Sequence, residues 1–263
     1  MKKFWNFVKN EAGDGELTLY GEISDVSWWG DEITPRQFKK DLDDLGDISN
    51  LNIYINSPGG DVFAGQTIYS ILKRSKARIT VYIDGLAASI ASIVAMAGDE
   101  VVMPKNAMMM IHNAWTITSG NKDDLRNMAD TLEKIDGVLA GIYVEKSGRE
   151  LEEVQDKMNA ETWMTADEAF EFGLVDRVNE EMKVAASLDK KFLNQYHNIP
   201  EDMPIHEDLE IFADGEVAEV LSVPYNGEAT QPVEENISPA EESWAGSQRR
   251  EFDRIKRKLL GKE

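Results

Sequence analysis

Two residues of the 263 have the type and setting for nucleophilic chemistry: Ser89, within GLAASIAS at residues 85–92, and His112, which closes the run AMMMIH. A serine hydroxyl attacks a carbonyl only when a base removes its proton, and near neutral pH the usual base is an imidazole. Ser89 stands among glycine- and alanine-sized neighbours where a strand-like run turns into a helix. Small neighbours permit close packing and also leave room for something to approach. Ser89 therefore either lines a crowded helix start or is a nucleophile presented there. His112 is the one histidine of the part that reads as α/β; the others are His197 and His206. An imidazole at the end of an apolar run is costly to bury without a polar partner. It is either a core histidine satisfied by backbone groups or a base. Each of the two follows a buried-type strand, and parallel strands ending on one sheet edge would bring them together, at the edge where open α/β sheets carry their sites.

Acyl transfer also requires donors for the oxyanion. The first N–H groups of a helix supply these, and Ile90 directly follows the candidate serine. A second donor fits the stretch NSPGGD, residues 56–61, a glycine turn between the strand LNIYI and a helix, where backbone can approach a carbonyl without a Cβ in the way. The turn lacks the spacing of a dinucleotide-binding loop. Ser92, one helical turn beyond Ser89, is an alternative nucleophile, but its place in the helix turns it away from the donors.

The elements that must position these residues alternate between strand and helix patterns, the mark of an α/β fold. ELTLYGEIS alternates as a strand. TPRQFKKDLDDLG is a helix with Thr34 as N-cap, Pro35 at the first helical position, Gln37 completing a capping box and Gly46 as the stop. LNIYINS is a strand with Ile53 and Ile55 on one face, residues 62–74 are a helix, and ITVYID is a third strand. In DEVVMPKNAMMMIHN two short apolar runs flank a turn, and Met108, Met109 and Met110 read as core. A long helix over 121–146 carries Leu125, Met128, Leu132, Ile135, Leu139 and Ile142 at steps of three and four, and Gly148 ends it. Its stripe needs a partner, from its own domain or from a second subunit. Thr165 and Glu168 form a capping box for a last short helix that Gly173 stops. Trp28 and Trp29 in SWWGDE read as packing residues, and Trp163 as buried beside the segment before that helix.

Composition bounds the rest. Apolar residues make up 42%, enough for one domain with a core plus an appendage. With no cysteine, disulfides and thiolate chemistry are excluded, and a reducing, cytoplasmic setting is expected. No signal peptide or membrane span is evident. A formal charge of −21 repels nucleic acid and anionic membranes alike. Near residue 180 the character changes: residues 198–243 hold thirteen acidic side chains, no lysine or arginine, and five of the eight prolines. Side chains that repel one another do not readily build a core, so the chain reads as a domain over 1–180 and an acidic, flexible C-terminal tail over 181–263. That tail ends in RREFDRIKRKLLGKE, a basic amphipathic helix suited to docking.

The set INSPGG, GLAAS, MIH and TADEAFEFGLVD, in this order, resembles the proteolytic subunit of the Clp protease, ClpP, over residues 17–178. The resemblance implies a crotonase-like stack of β-β-α units, with the helix over 121–146 as the handle helix that joins two rings. It implies Ser89 as nucleophile and His112 as general base, with the backbone N–H groups of Gly60 and Ile90 forming the oxyanion hole. The family's third triad member is an aspartate, and Glu161 stands at its position, longer by one methylene. Asp167 and Asp176 are the alternatives, although the family's residue matching Asp176 is structural. The resemblance further implies a serine endopeptidase that cuts polypeptide substrates as a ring homo-oligomer, a double heptamer on the family pattern, with no cofactor and no metal. With no P-loop in the chain, any ATP dependence comes from an AAA+ unfoldase. The acidic tail resembles the ClpP-related proteases of phages and prophages, some of which act in head maturation. Two other readings stand beside this one: a crotonase-like acyl-CoA enzyme using the same two donors on an enolate, and a phage assembly protein with an inactive or self-cleaving core.

Overall fold

A computed structural model describes residues 4–24, 35–181, 188–192, 195–201, 203–206 and 223–224. In chain order the elements are β1 (Trp5–Lys9), β2 (Gly15–Tyr20), α1 (Pro35–Asp44), β3 (Asn50–Ser57), α2 (Val62–Lys73), β4 (Arg78–Ala88), α3 (Ile90–Ala95), β5 (Glu100–Pro104) and β6 (Met108–Ile111). They continue with α4 (Lys122–Ser147), α5 (Leu151–Asn159), β7 (Thr162–Thr165), α6 (Ala166–Phe172), β8 (Arg177–Asn179), β9 (Leu188–Asp189), a 3-10 turn (Lys190–Phe192), β10 (Pro204–His206) and β11 (Val223–Pro224). All described residues fall in one unit, Met1–Asn226. This is the expected α/β architecture.

The main sheet runs β1-β2-β3-β4-β5-β8, parallel throughout except that β1 is antiparallel to β2. Alternation decides which face is buried: Leu17 and Leu19, Leu51, Ile53 and Ile55, and Ile79, Val81 and Ile83 enter the core. On the opposite face Tyr54 and Tyr82 stack at 5.3 Å. Toward its end β4 stops alternating, and every residue from Ile83 to Ala88 is buried. Here the strand is covered on both faces, and all of these side chains are small or apolar except Asp84, which accepts from the Tyr20 hydroxyl.

That change of environment accompanies a change of partner. The first half of β4 pairs with β5, Thr80 opposite Glu100, while its last residues pair in parallel with β6, Leu86 opposite Met108 and Ala88 opposite Met110. β6 in turn pairs antiparallel with β7. One strand thus carries β5 along its first half and the branch of β6 and β7 at its end. The expected strand ITVYID continues through Gly85–Ala88, because two sets of partners hold it extended.

Helix boundaries follow the capping chemistry. Asp61 caps α2 by accepting from Ala64 N–H at 2.7 Å. Asn121 and Asp124 form a capping box on α4, which ends at the left-handed Gly148. Thr165 and Glu168 do the same on α6. Two elements had no clear pattern in the sequence. β1 buries Trp5 but leaves Val8 exposed, and α5 buries only Val154 and Met158. Thr34, Trp28, Trp29, the basic terminal helix and most of the acidic stretch lie outside the described residues.

Part of the stretch after residue 180 is packed on the body. Leu188, Phe192, Tyr196 and Met203 are buried in a cluster with Leu86, Ala88 and Met110. β9 and β10 pair in parallel, and β10 pairs antiparallel with β11. Among the described residues no helix is long and apolar enough to cross a membrane.

Candidate active site

The pairing of β4 with β6 brings the serine to the histidine. With Ala88 opposite Met110 and the Ser89 N–H donating to the Met110 carbonyl at 2.9 Å, the chain ends past both strands emerge side by side. Ser89 Oγ lies 2.7 Å from His112 Nε2. Both side chains are half-buried. Ser89 has φ 55° and ψ −130°, a left-handed conformation that an L-residue adopts only when its surroundings impose it. The sharp bend from strand to α3 lifts its hydroxyl out of the sheet, the device used by strained strand-to-helix nucleophile turns.

The glycine turn lies against this bend. A Cβ on Gly59 would sit 2.7 Å from the Ser89 Cβ, and one on Gly60 would sit 2.0 Å from the Ile23 carbonyl oxygen. Their φ values are +103° and +142°. The Gly59 carbonyl accepts from Ile23 N–H at 2.7 Å, and the Ile23 carbonyl accepts from Asp61 N–H at 2.7 Å. A trans peptide points its C=O and N–H in opposite directions, so with the Gly59 carbonyl directed at Ile23 the Gly60 N–H is directed away from it. Neither the Gly60 nor the Ile90 N–H has a hydrogen-bond partner among the described residues. Free backbone donors beside a bent serine suit a developing oxyanion.

Burial pushes the His112 pKa below the ordinary histidine value, the nearby Glu161 carboxylate opposes that shift, and His197 adds to it. The net effect favours a neutral ring, which can accept a proton. Glu161 is buried, with φ 46°. Its Oε1 accepts the backbone N–H groups of His197 at 2.7 Å and Asn198 at 2.8 Å, and Trp163 Nε1 stands at 3.4 Å. Among the described residues no hydrogen bond joins Glu161 to His112, so the carboxylate acts on the ring through its field.

The other carboxylates serve elsewhere. Asp167 is exposed in the first turn of α6. Asp176 Oδ2 accepts from Val101 N–H at 2.7 Å and from Lys146 Nζ at 2.5 Å, which ties β5 to α4. Ser92 is fully buried. Its Oγ donates to the Ser89 carbonyl at 2.5 Å and shares a hydrogen bond of 2.7 Å with the Tyr143 hydroxyl of α4. It faces the handle-like helix and supports the bend from behind.

Tyr196, His197 and Asn198 are neighbours of the site that sequence reasoning missed. Tyr196 stands edge-on to His112 at 5.6 Å and to Trp163 at 5.6 Å, and its hydroxyl donates to the Pro58 carbonyl. The available signal was KKFLNQY, whose apolar side chains precede the acidic run.

The model of one family, Clp protease, matches residues 40–182. The matched interval is more than half of the chain and runs from α1 past β8, so it takes in the turn, the bend, the histidine and the buried glutamate. The chain therefore belongs to the Clp protease family, a family of peptidases.

Proposed function

We propose that the chain is a serine endopeptidase in which Ser89 is the nucleophile, His112 the general base and Glu161 the carboxylate of the triad. The observation that carries this reading is the 2.7 Å approach of Ser89 Oγ to His112 Nε2 at a backbone bend that only a supported residue tolerates. In the forward step the Ser89 hydroxyl proton passes to Nε2 as Oγ adds to a peptide carbonyl. The oxyanion lies between the N–H groups of Gly60 and Ile90. The imidazolium that forms is favoured by the Glu161 carboxylate, then returns its proton to the leaving amine, which releases one product and leaves an acyl-serine. Water repeats the sequence: His112 takes its proton, the acyl bond breaks and the serine is restored.

Family membership supports polypeptide substrates and assembly into a ring homo-oligomer that encloses the sites, a double heptamer by resemblance, fed by an AAA+ unfoldase. The half of α4 that carries Leu125, Met128 and Leu132 leaves these side chains uncovered or only partly covered by the described residues of its own chain. The acidic C-terminal region supports a place among phage and prophage relatives. The test is covalent labelling with a fluorophosphonate probe, followed by peptide mapping. Label on Ser89, lost in Ser89→Ala, is the expected result; equal labelling of Ser89→Ala ends this reading.

A further inference from the structure

The segment beyond residue 188 reaches the chemistry through three consecutive residues. Tyr196 is buried, with its ring edge-on to the imidazole of His112, while its hydroxyl donates to the Pro58 carbonyl at the head of the glycine turn. Burial and the Glu161 carboxylate both push the Tyr196 pKa up, so the hydroxyl keeps its proton and remains a donor. The next two backbone N–H groups, of His197 and Asn198, bind Glu161 Oε1, and the Asn198 side-chain amide donates to the Ala160 carbonyl at 2.7 Å. On the turn, the Pro58 carbonyl is held by Tyr196, Gly59 N–H by Ser57 Oγ at 3.1 Å and the Gly59 carbonyl by Ile23. The Pro58 carbonyl and both backbone polar groups of Gly59 are thus fixed, and one of the anchors comes from residue 196.

We infer that Tyr196 is a positioning residue of the active site, clamping the His112 ring against the turn that presents Gly60, and that residues 196–198 complete the site. The inference rests on the serine-peptidase reading. The ring and the hydroxyl do separable work. The ring shields the imidazole from water, and the hydroxyl holds the turn. The same segment fixes the carboxylate: without the two amides, buried Glu161 would keep, among the described residues, only the long contact to Trp163. The titratable groups that act on His112 are Glu161, which favours its proton, and His197, which disfavours it.

The rate of fluorophosphonate labelling of Ser89 as a function of pH, in the full chain, separates the two contributions. Labelling requires a neutral His112, so the rate rises with pH through the pKa of that ring. Tyr196→Phe keeps the shielding ring and loses the anchor: the plateau falls about tenfold, on the scale of one lost hydrogen bond, with the limb in place. Tyr196→Ala admits water to the imidazole and weakens the burial that depresses its pKa, so the limb moves to higher pH and the plateau falls about a hundredfold. A merely structural tyrosine would lower the amount of folded protein without moving that limb. Where Tyr196→Ala does not fold, Tyr196→Phe decides alone. A labelled wild type with Tyr196→Phe at the same rate overturns the inference and leaves the peptidase reading standing, as does a folded Tyr196→Ala with an unmoved limb. An unlabelled wild type overturns both.

Discussion

Ser89 and Ser92 sit one helical turn apart with opposite assignments, and the hydroxyl of Tyr143 separates them. Ser92 donates its hydroxyl to the Ser89 carbonyl and shares a hydrogen bond with the hydroxyl of Tyr143, which is wholly buried and whose pKa is pushed upward by that burial. Ser89 meets an imidazole instead. Removing the Ser92 hydroxyl strands the Tyr143 hydroxyl in the core, at a cost of about 1–3 kcal/mol, whereas removing both partners leaves an apolar pair. Denaturant unfolding of Ser92→Ala, Tyr143→Phe and the double variant therefore yields a double variant less destabilised than the sum of the single ones. Folded Ser92→Ala still takes fluorophosphonate at Ser89. Label mapped to Ser92 in the wild type would instead give Ser92 the chemistry.

The element that sets the site geometry is the junction of β3, the glycine turn and β4, where Gly60 carries a different constraint from the glycine that ends α4. Gly60 has φ +142° and no room for a Cβ, since the Ile23 carbonyl would lie 2.0 Å away. Gly148, the left-handed cap of α4, has φ +67° and open space around it. Gly148→Ala thus meets backbone strain alone, about 1 kcal/mol, and leaves the labelling rate unchanged. Gly60→Ala must break the hydrogen bonds that tie the turn to Ile23, so it costs more stability and displaces the N–H assigned to the oxyanion. Thermal unfolding together with labelling of both variants checks this. Equal effects on labelling would mean that the turn has no part in the chemistry.

In the whole molecule, α4 is two helices in one. Its C-terminal half packs on the core through Leu139, Ala140 and Tyr143, while Leu125 remains 45% exposed near the N-terminal end. An apolar stripe that the described body does not cover is what a ring-to-ring contact would bury. Leu125→Asp keeps the monomer folded, because an acid near a helix N-terminus suits the dipole, but it opposes burial of the stripe in an assembly. Mass photometry is expected to show a smaller particle for Leu125→Asp than for wild type, with an unchanged far-ultraviolet circular dichroism spectrum. An unchanged particle mass would remove α4 from the interface.

Local chemistry by itself determined much of this protein: the alternation in β2, β3 and β4, the caps at Asn121, Thr165 and Gly148, and the spacing along α4 are relations among residues close in the chain. The serine and the glycine turn could be recognised for the same reason, each standing where a strand stops and a helix starts. Tertiary structure alone decided that β4 would exchange β5 for β6 halfway along, which places Ser89 against His112, and that the Glu161 carboxylate would be held by amides from residues 197 and 198. These pairings join residues that are distant in sequence. Their free energy comes from burial and from hydrogen bonds closed only on folding, so no local pattern along the chain carries them.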